Sequence, residues 1–144
     1  MGTLERFDLA KYRLEMAEKK LNSARLLFEQ GFLADAQSRA YYCLLHSARA
    51  LLATRQLDSR KHSGVISLFN QHFVKNKVVP KHYGKILMNA KDLREDSDYD
   101  EFYVTSRKET EELLNQASEF LAGIRNAVRN IAENSNKSDK KPKN

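Results

Sequence analysis

The chain is poor in the residues that punctuate or cross-link a fold. Among its 144 residues there are 5 glycines, 2 prolines and a single cysteine. One cysteine excludes an intrachain disulfide. Cys43, between Tyr42 and Leu44, reads as a packed thiol. No Cys/His grouping has zinc-ligand spacing, so neither a metal nor a cofactor is expected. No apolar run approaches the roughly 20 residues of a membrane span. The opening MGTLERFDLAKYRLEM is too polar for a secretory leader, and Arg6 stands where myristoylation wants Ser or Thr. A cytosolic, soluble protein is the expectation. Also missing are a nucleophile elbow, a P-loop and a dinucleotide fingerprint, which argues against those enzyme classes.

Charge is the first positive signal. Lys and Arg total 25 against 19 acids, for a net +6. Lys137, Lys140, Lys141 and Lys143 outnumber Glu133 and Asp139 in the tail, yet most of the excess lies in the body. Such a surplus permits a polyanionic partner without requiring one.

The second signal is a 3.6-residue period almost throughout. A first helix is predicted over 8–30, with Leu14, Ala17, Leu21, Ala24 and Phe28 as its stripe and Gly31 closing it. A second covers 33–55, slim with alanine at 34, 36, 40, 48 and 50. A third covers 63–75, with Ser63 as N-cap, and a fourth starts at Pro80 and ends near Leu93. REDSDYDEF then reads as an acidic loop. The last helix opens on the capping-box pair Ser106 and Glu109, and continues through Leu113, Ala117, Phe120, Ile124, Val128 and Ile131. It should be the longest. A helical domain over 1–132 and a disordered lysine-rich tail over 133–144 are expected. The predicted class is all-α, an antiparallel bundle of four to five helices.

Three segments carry a resemblance: ADAQSRAYYCLLHSARALL at 34–52, KHSGVISLFNQHFVKN at 61–76 and LREDSDYD at 93–100. In order, spacing and helical placement they resemble one branch of the HEPN family over about residues 10–130. The resemblance implies a helical bundle, a homodimer with a cleft at its axis, and a link to nucleotides or RNA. It also implies a minimal nucleotidyltransferase as partner, frequently in a toxin–antitoxin pair.

Ribonucleases of that family carry Arg, four to six residues, then His. A near-neutral imidazole can move a proton at a ribose 2′-hydroxyl or a leaving 5′-oxygen, and an arginine fork can steady the phosphate. Here Arg94 falls at the family's arginine, but Tyr99, Asp100 and Glu101 follow where the histidine would stand. Asp98 is an ionised carboxylate at neutral pH and a poor proton donor. The spacing is also met by Arg39 with His46 and by Arg55 with His62, at other places in the fold.

The candidate nucleotide- or RNA-binding residues are therefore Arg94, Asp98, Tyr99, His62, Arg39, Tyr42 and His46. Arg94 and Tyr99 would line a phosphate-accepting cleft with Asp98 orienting the arginine. Each group has a structural alternative. Arg94 and Asp98 can clip a loop. Arg39, Tyr42 and His46 can form a hydrogen-bonded seam. His62 and Ser63 can simply open a helix. Three functions remain open: a nucleotide- or RNA-binding module, a metal-independent ribonuclease, and a structural adaptor.

Overall fold

The computed structural model describes residues 3–99 and 104–140. Five α-helices follow in order: α1 (Thr3–Glu29), α2 (Leu33–Ala53), α3 (His62–Phe69), α4 (His82–Tyr99) and α5 (Arg107–Lys140). A π-helical turn, Asn70–Val74, continues α3. No strand occurs among the described residues, so the chain is an all-α bundle, and α5, at 34 residues, is its longest helix.

The bundle is organised around α2, which packs against α1, α3, α4 and α5. Its alanines explain this. Ala36, Ala40, Ala48, Ala50 and Ala53 are buried and let neighbouring backbones approach, while Leu44, Leu45, Leu51 and Leu52 fill the space between. α5 contributes Leu113, Ala117, Phe120, Ile124 and Val128 to the same core. An aromatic cluster joins α5 to α3 and α4. Phe120 lies 5.6 Å from Phe69 and 4.9 Å from Tyr83, centroid to centroid. Gly123 makes room for it, because a Cβ there would collide with the Tyr83 hydroxyl.

Helix ends show how short loops suffice. After α1, Gly31 takes φ +84. The Gly31 N–H donates to the Phe28 carbonyl and the Phe32 N–H to the Leu27 carbonyl, at 3.0 and 2.9 Å. This is the Schellman closure expected of a glycine there. α5 begins as its sequence suggests: the Glu109 N–H donates to Ser106 Oγ at 3.2 Å.

Several boundaries differ from expectation, the first being that α1 starts at Thr3 and not at residue 8. α4 does not stop at Leu93 but runs through Tyr99, so Arg94, Asp98 and Tyr99 are helical rather than in a loop. The polar run is sustained by i,i+4 ion pairs, Lys91–Glu95 at 3.6 Å and Arg94–Asp98 at 3.5 Å. Asp100 and Glu101 lie outside the described residues. α5 does not end at Ala132 but continues to Lys140, into the stretch expected to be disordered. There Arg6 Nη2 donates to Ser135 Oγ at 3.2 Å, tying the extension to α1. α3 starts at His62 with Lys61 as N-cap, so Ser63 lies inside the helix and caps nothing. Finally, the predicted third helix loses α geometry at Asn70 and finishes as the π turn.

Candidate functional site

Residues four, seven and eleven apart fall on one face of a helix. On α2 that rule aligns Asp35, Ser38, Arg39, Tyr42 and His46. Lys20 and Leu27 of α1 flank them on one side and Arg94 of α4 on the other. Together they line an open groove of about 700 Å³. The groove thus draws a cation from each of three helices and holds one carboxylate, Asp35.

Arg94 is held chiefly by aromatic rings. Its guanidinium carbon sits 5.3 Å from the Tyr41 ring centroid and 5.0 Å from that of Tyr42. Such cation–π contacts are strongest when partly desolvated, as here. Nε also lies 3.5 Å from Asp98 Oδ2. That is an ion-pair distance only, for Nε is buried without a hydrogen-bond partner among the described residues.

His62 is placed behind the groove, not in its lining. Its Nδ1 shares a 3.3 Å hydrogen bond with the Tyr41 hydroxyl. Its ring stands edge-on to both Tyr41 and Tyr42. Burial pushes its pKa below the ordinary value, and the charges of Arg94, Arg49 and Lys91 push the same way. Tyr41 is shifted upward, first by burial, with Arg94 opposing and Tyr42 and Glu95 assisting. The hydroxyl therefore keeps its proton.

His46 lies in the groove and is half-buried. Burial, then Lys20, Arg49 and Arg13, depress its pKa. At neutral pH it is an uncharged imidazole able to accept a proton.

One turn beyond His46 on α2, Arg49 belongs to a polar clip outside the groove lining. Asp58, in the loop after α2, bridges Arg13 of α1 and Arg49 of α2, each at 3.2 Å. Burial alone would raise the Asp58 pKa, but the Ser59 N–H and the two arginines outweigh it and hold the carboxyl low. Arg13 also donates to the Arg49 carbonyl, and Arg49 to the Ser59 carbonyl, both at 3.0 Å. These arginines are committed to structure.

Of the residues singled out from sequence, Arg39, Tyr42, His46 and Arg94 meet in one groove. His62 supports it through Tyr41 and Tyr42. Asp98 pairs with Arg94 from the solvent side. Tyr99 does not take part: it is 86% exposed on the last turn of α4, away from the lining. The residues that sequence reasoning missed are Lys20, Asp35 and Ser38 in the groove, and Tyr41 beneath it. The seven-residue interval between Arg39 and His46 was the usable signal for Asp35 and Ser38, since both extend that face. Nothing local marks Lys20 or Tyr41, whose roles come from tertiary packing. No cluster of His, Cys, Asp and Glu able to hold a metal occurs among the described residues.

An all-α bundle whose central helix carries a cation-lined, tyrosine-backed groove defines a class of helical fold and not any single protein. The family follows from comparison: the model of the HEPN domain matches residues 10–127, and the chain belongs to that family. It is 38% identical to a Methanocaldococcus jannaschii protein, MJ0605, whose name marks it as a candidate toxin, across 82% of this chain and 87% of that one. A second candidate toxin of that organism, MJ0142, is 32% identical over 75% of this chain and 74% of its own length. A UPF0332 protein of Thermotoga maritima is 31% identical over 88% of this chain and 96% of its own.

Proposed function

We propose that the groove binds a phosphate-bearing ligand, a nucleotide or a short stretch of RNA, and that the chain is the toxin-type member of a pair with a minimal nucleotidyltransferase. The observation that carries the ligand is the convergence of Lys20, Arg39 and Arg94 from three helices on one cavity. Three cations that share a cavity repel one another, and an anion between them relieves that repulsion. Arginine forks match phosphate oxygens bidentately, and Tyr42 offers a ring against which a base can pack. The volume of about 700 Å³ is in the usual range for a small-ligand site. The toxin role rests on the names of the two Methanocaldococcus jannaschii relatives. The nucleotidyltransferase partner, the homodimer and the cytosolic setting rest on family membership.

A second reading has one observation in its favour. His46 shares the groove with two arginines and is neutral, which suits a general base in metal-independent RNA cleavage. It stands on α2, however, not after Arg94 on α4 where the family's ribonuclease histidine falls.

One experiment separates the readings. ATP, AMP and a fluorescent single-stranded RNA are titrated into wild type, Lys20→Ala and Arg39→Ala, and the RNA is then run on a denaturing gel. Binding that weakens in both variants with the RNA intact supports the binding module. RNA cleavage abolished by His46→Ala supports the ribonuclease. Equal affinity in all three proteins contradicts the groove.

A further inference from the structure

A second concavity, of about 280 Å³, lies where the π turn meets the start of α4. Asn70, Val74, Lys81, Gly84, Lys85 and Met88 line it. Asn70 and Val74 are the first and last residues of the π turn, so the departure from α geometry shapes one wall. π turns inside helices recur at functional sites. The other wall is α4, brought close because residue 84 is glycine: a Cβ there would meet Asn70 Oδ1 at 2.5 Å. That oxygen is buried and has no hydrogen-bond partner among the described residues. Met88 is 45% exposed, an adaptable apolar side chain left to solvent.

The rim is of one sign. Lys81 and Lys85 line the trough, Lys75 and Lys77 flank it in the chain, and all four are exposed. None of them makes an ion pair among the described residues, and no carboxylate lines the trough.

We propose that this trough docks an acidic amphipathic segment of another protein, with an aliphatic side chain over Val74 and Met88 and carboxylates against Lys81 and Lys85. The inference is independent of the groove, which α1, α2 and the far end of α4 form. Charge chooses among occupants. The chain's own tail carries Lys137, Lys140, Lys141 and Lys143, the same sign of charge as the rim. A second copy docked trough to trough across a two-fold axis would set the same lysines against themselves. RNA would be drawn by the lysines but finds no aromatic ring or arginine in the lining to stack on. A free small molecule would leave much of its surface in water in so open a trough, whereas small-ligand sites bury most of their ligand. An amphipathic helix laid in an apolar groove meets both the apolar floor and the basic rim.

The probes are two fluorescein-labelled helical peptides with leucines on one face, one bearing glutamates elsewhere and its twin bearing lysines. Anisotropy is measured against the full chain at low and moderate salt. The acidic peptide should bind and the basic one should not. Met88→Asp combined with Lys81→Glu and Lys85→Glu should weaken the acidic peptide by at least about tenfold, because it removes the apolar contact and reverses the rim. Lys85→Gln alone should weaken it less, and Lys20→Ala and Arg39→Ala should leave it unchanged. Circular dichroism confirms that each variant is folded. The proposal is overturned by no binding of the acidic peptide, equal binding of both peptides, undiminished binding by the triple variant, or dissociation of a dimer by Met88→Asp in light scattering. A labelled oligouridylate that displaces the acidic peptide, and whose own binding the triple variant loses, would assign the face to nucleic acid instead and likewise overturn it.

Discussion

Arg94→Ala removes an arginine whose anchorage can be apportioned from its geometry. The guanidinium packs on two tyrosine rings at 5.3 and 5.0 Å, and its side chain is 28% exposed. A cation–π contact contributes about 0.5–1 kcal/mol when exposed and about 2 when desolvated. The Asp98 carboxylate is 51% exposed and 3.5 Å away, without hydrogen-bond geometry. A pair of that kind is worth roughly 0–1 kcal/mol, and solvent screening places it in the lower half. Arg94→Ala should therefore cost about 1–2 kcal/mol, with the rings responsible for most of it. At about 2.1 cal/mol/K of unfolding entropy per residue, that loss lowers Tm by roughly 3–7 °C for a chain of this size. Asp98→Ala should lower Tm by no more than about 2 °C. Arg94→Lys keeps the charge beside Asp98 but loses the planar stacking, so it should resemble Arg94→Ala more than wild type. Calorimetry at fixed pH and salt gives all three values. If Asp98→Ala costs as much as Arg94→Ala, and Arg94→Lys costs nothing, the ion pair and not the aromatic platform holds the arginine, and the reasoning fails.

Three further outcomes follow from the same structure. The pKa values of His46 and His62 are lowered on folding, so the unfolded chain binds protons more readily; stability should be full above the unfolded histidine pKa, near 6.5, and fall as pH drops below it. Thermal melts between pH 8 and about 5 read that slope, which should be shallower in a His46→Gln, His62→Gln double variant; an unchanged slope contradicts the assignment. Gly123→Ala forces a methyl against Tyr83 and should cost about 1–3 kcal/mol in urea unfolding. The penalty should shrink in a Tyr83→Leu background, and simple additivity would show that the two do not touch. Cys43 is buried and its thiol pKa is pushed up to about 12, mainly by burial. Ellman's reagent at pH 8 should react slowly with native protein and at once in guanidinium; fast native labelling would mean that α2 opens locally.

The elements that could be read from sequence are those governed by local rules. The stripe from Leu113 to Ile131, the Ser106 cap and the αL glycine at 31 each follow from residues within a few positions of one another. The failures have a common cause. REDSDYDEF is polar and turn-rich by composition, yet Arg94 and Lys91 find acids one helical turn on and Tyr41 and Tyr42 receive the guanidinium, so the helix extends to Tyr99. Likewise the end of α5 is steadied by Arg6, 129 positions away. The π turn at Asn70–Val74 has no local sequence pattern that marks it. The candidate site divides in the same way. Arg39, Tyr42 and His46 share a helical face by simple periodicity. Lys20 joins them only because α1 lies beside α2, and Tyr41 and His62 meet only because α3 folds back. Tyr99 was expected in the cleft because a loop could have turned it inward; on a continuous helix it faces solvent.

The central claim is that the groove holds phosphate with three cations. Its most direct test is the salt dependence of RNA binding by wild type and Arg39→Ala. For single strands, log K falls against log salt with a slope of about −0.7 per phosphate neutralised, so three contacts by Lys20, Arg39 and Arg94 predict a slope near −2. Arg39→Ala should bind more weakly at every salt concentration and flatten the slope to about −1.4. A wild-type slope near zero, or identical slopes and affinities in the two proteins, would contradict the account.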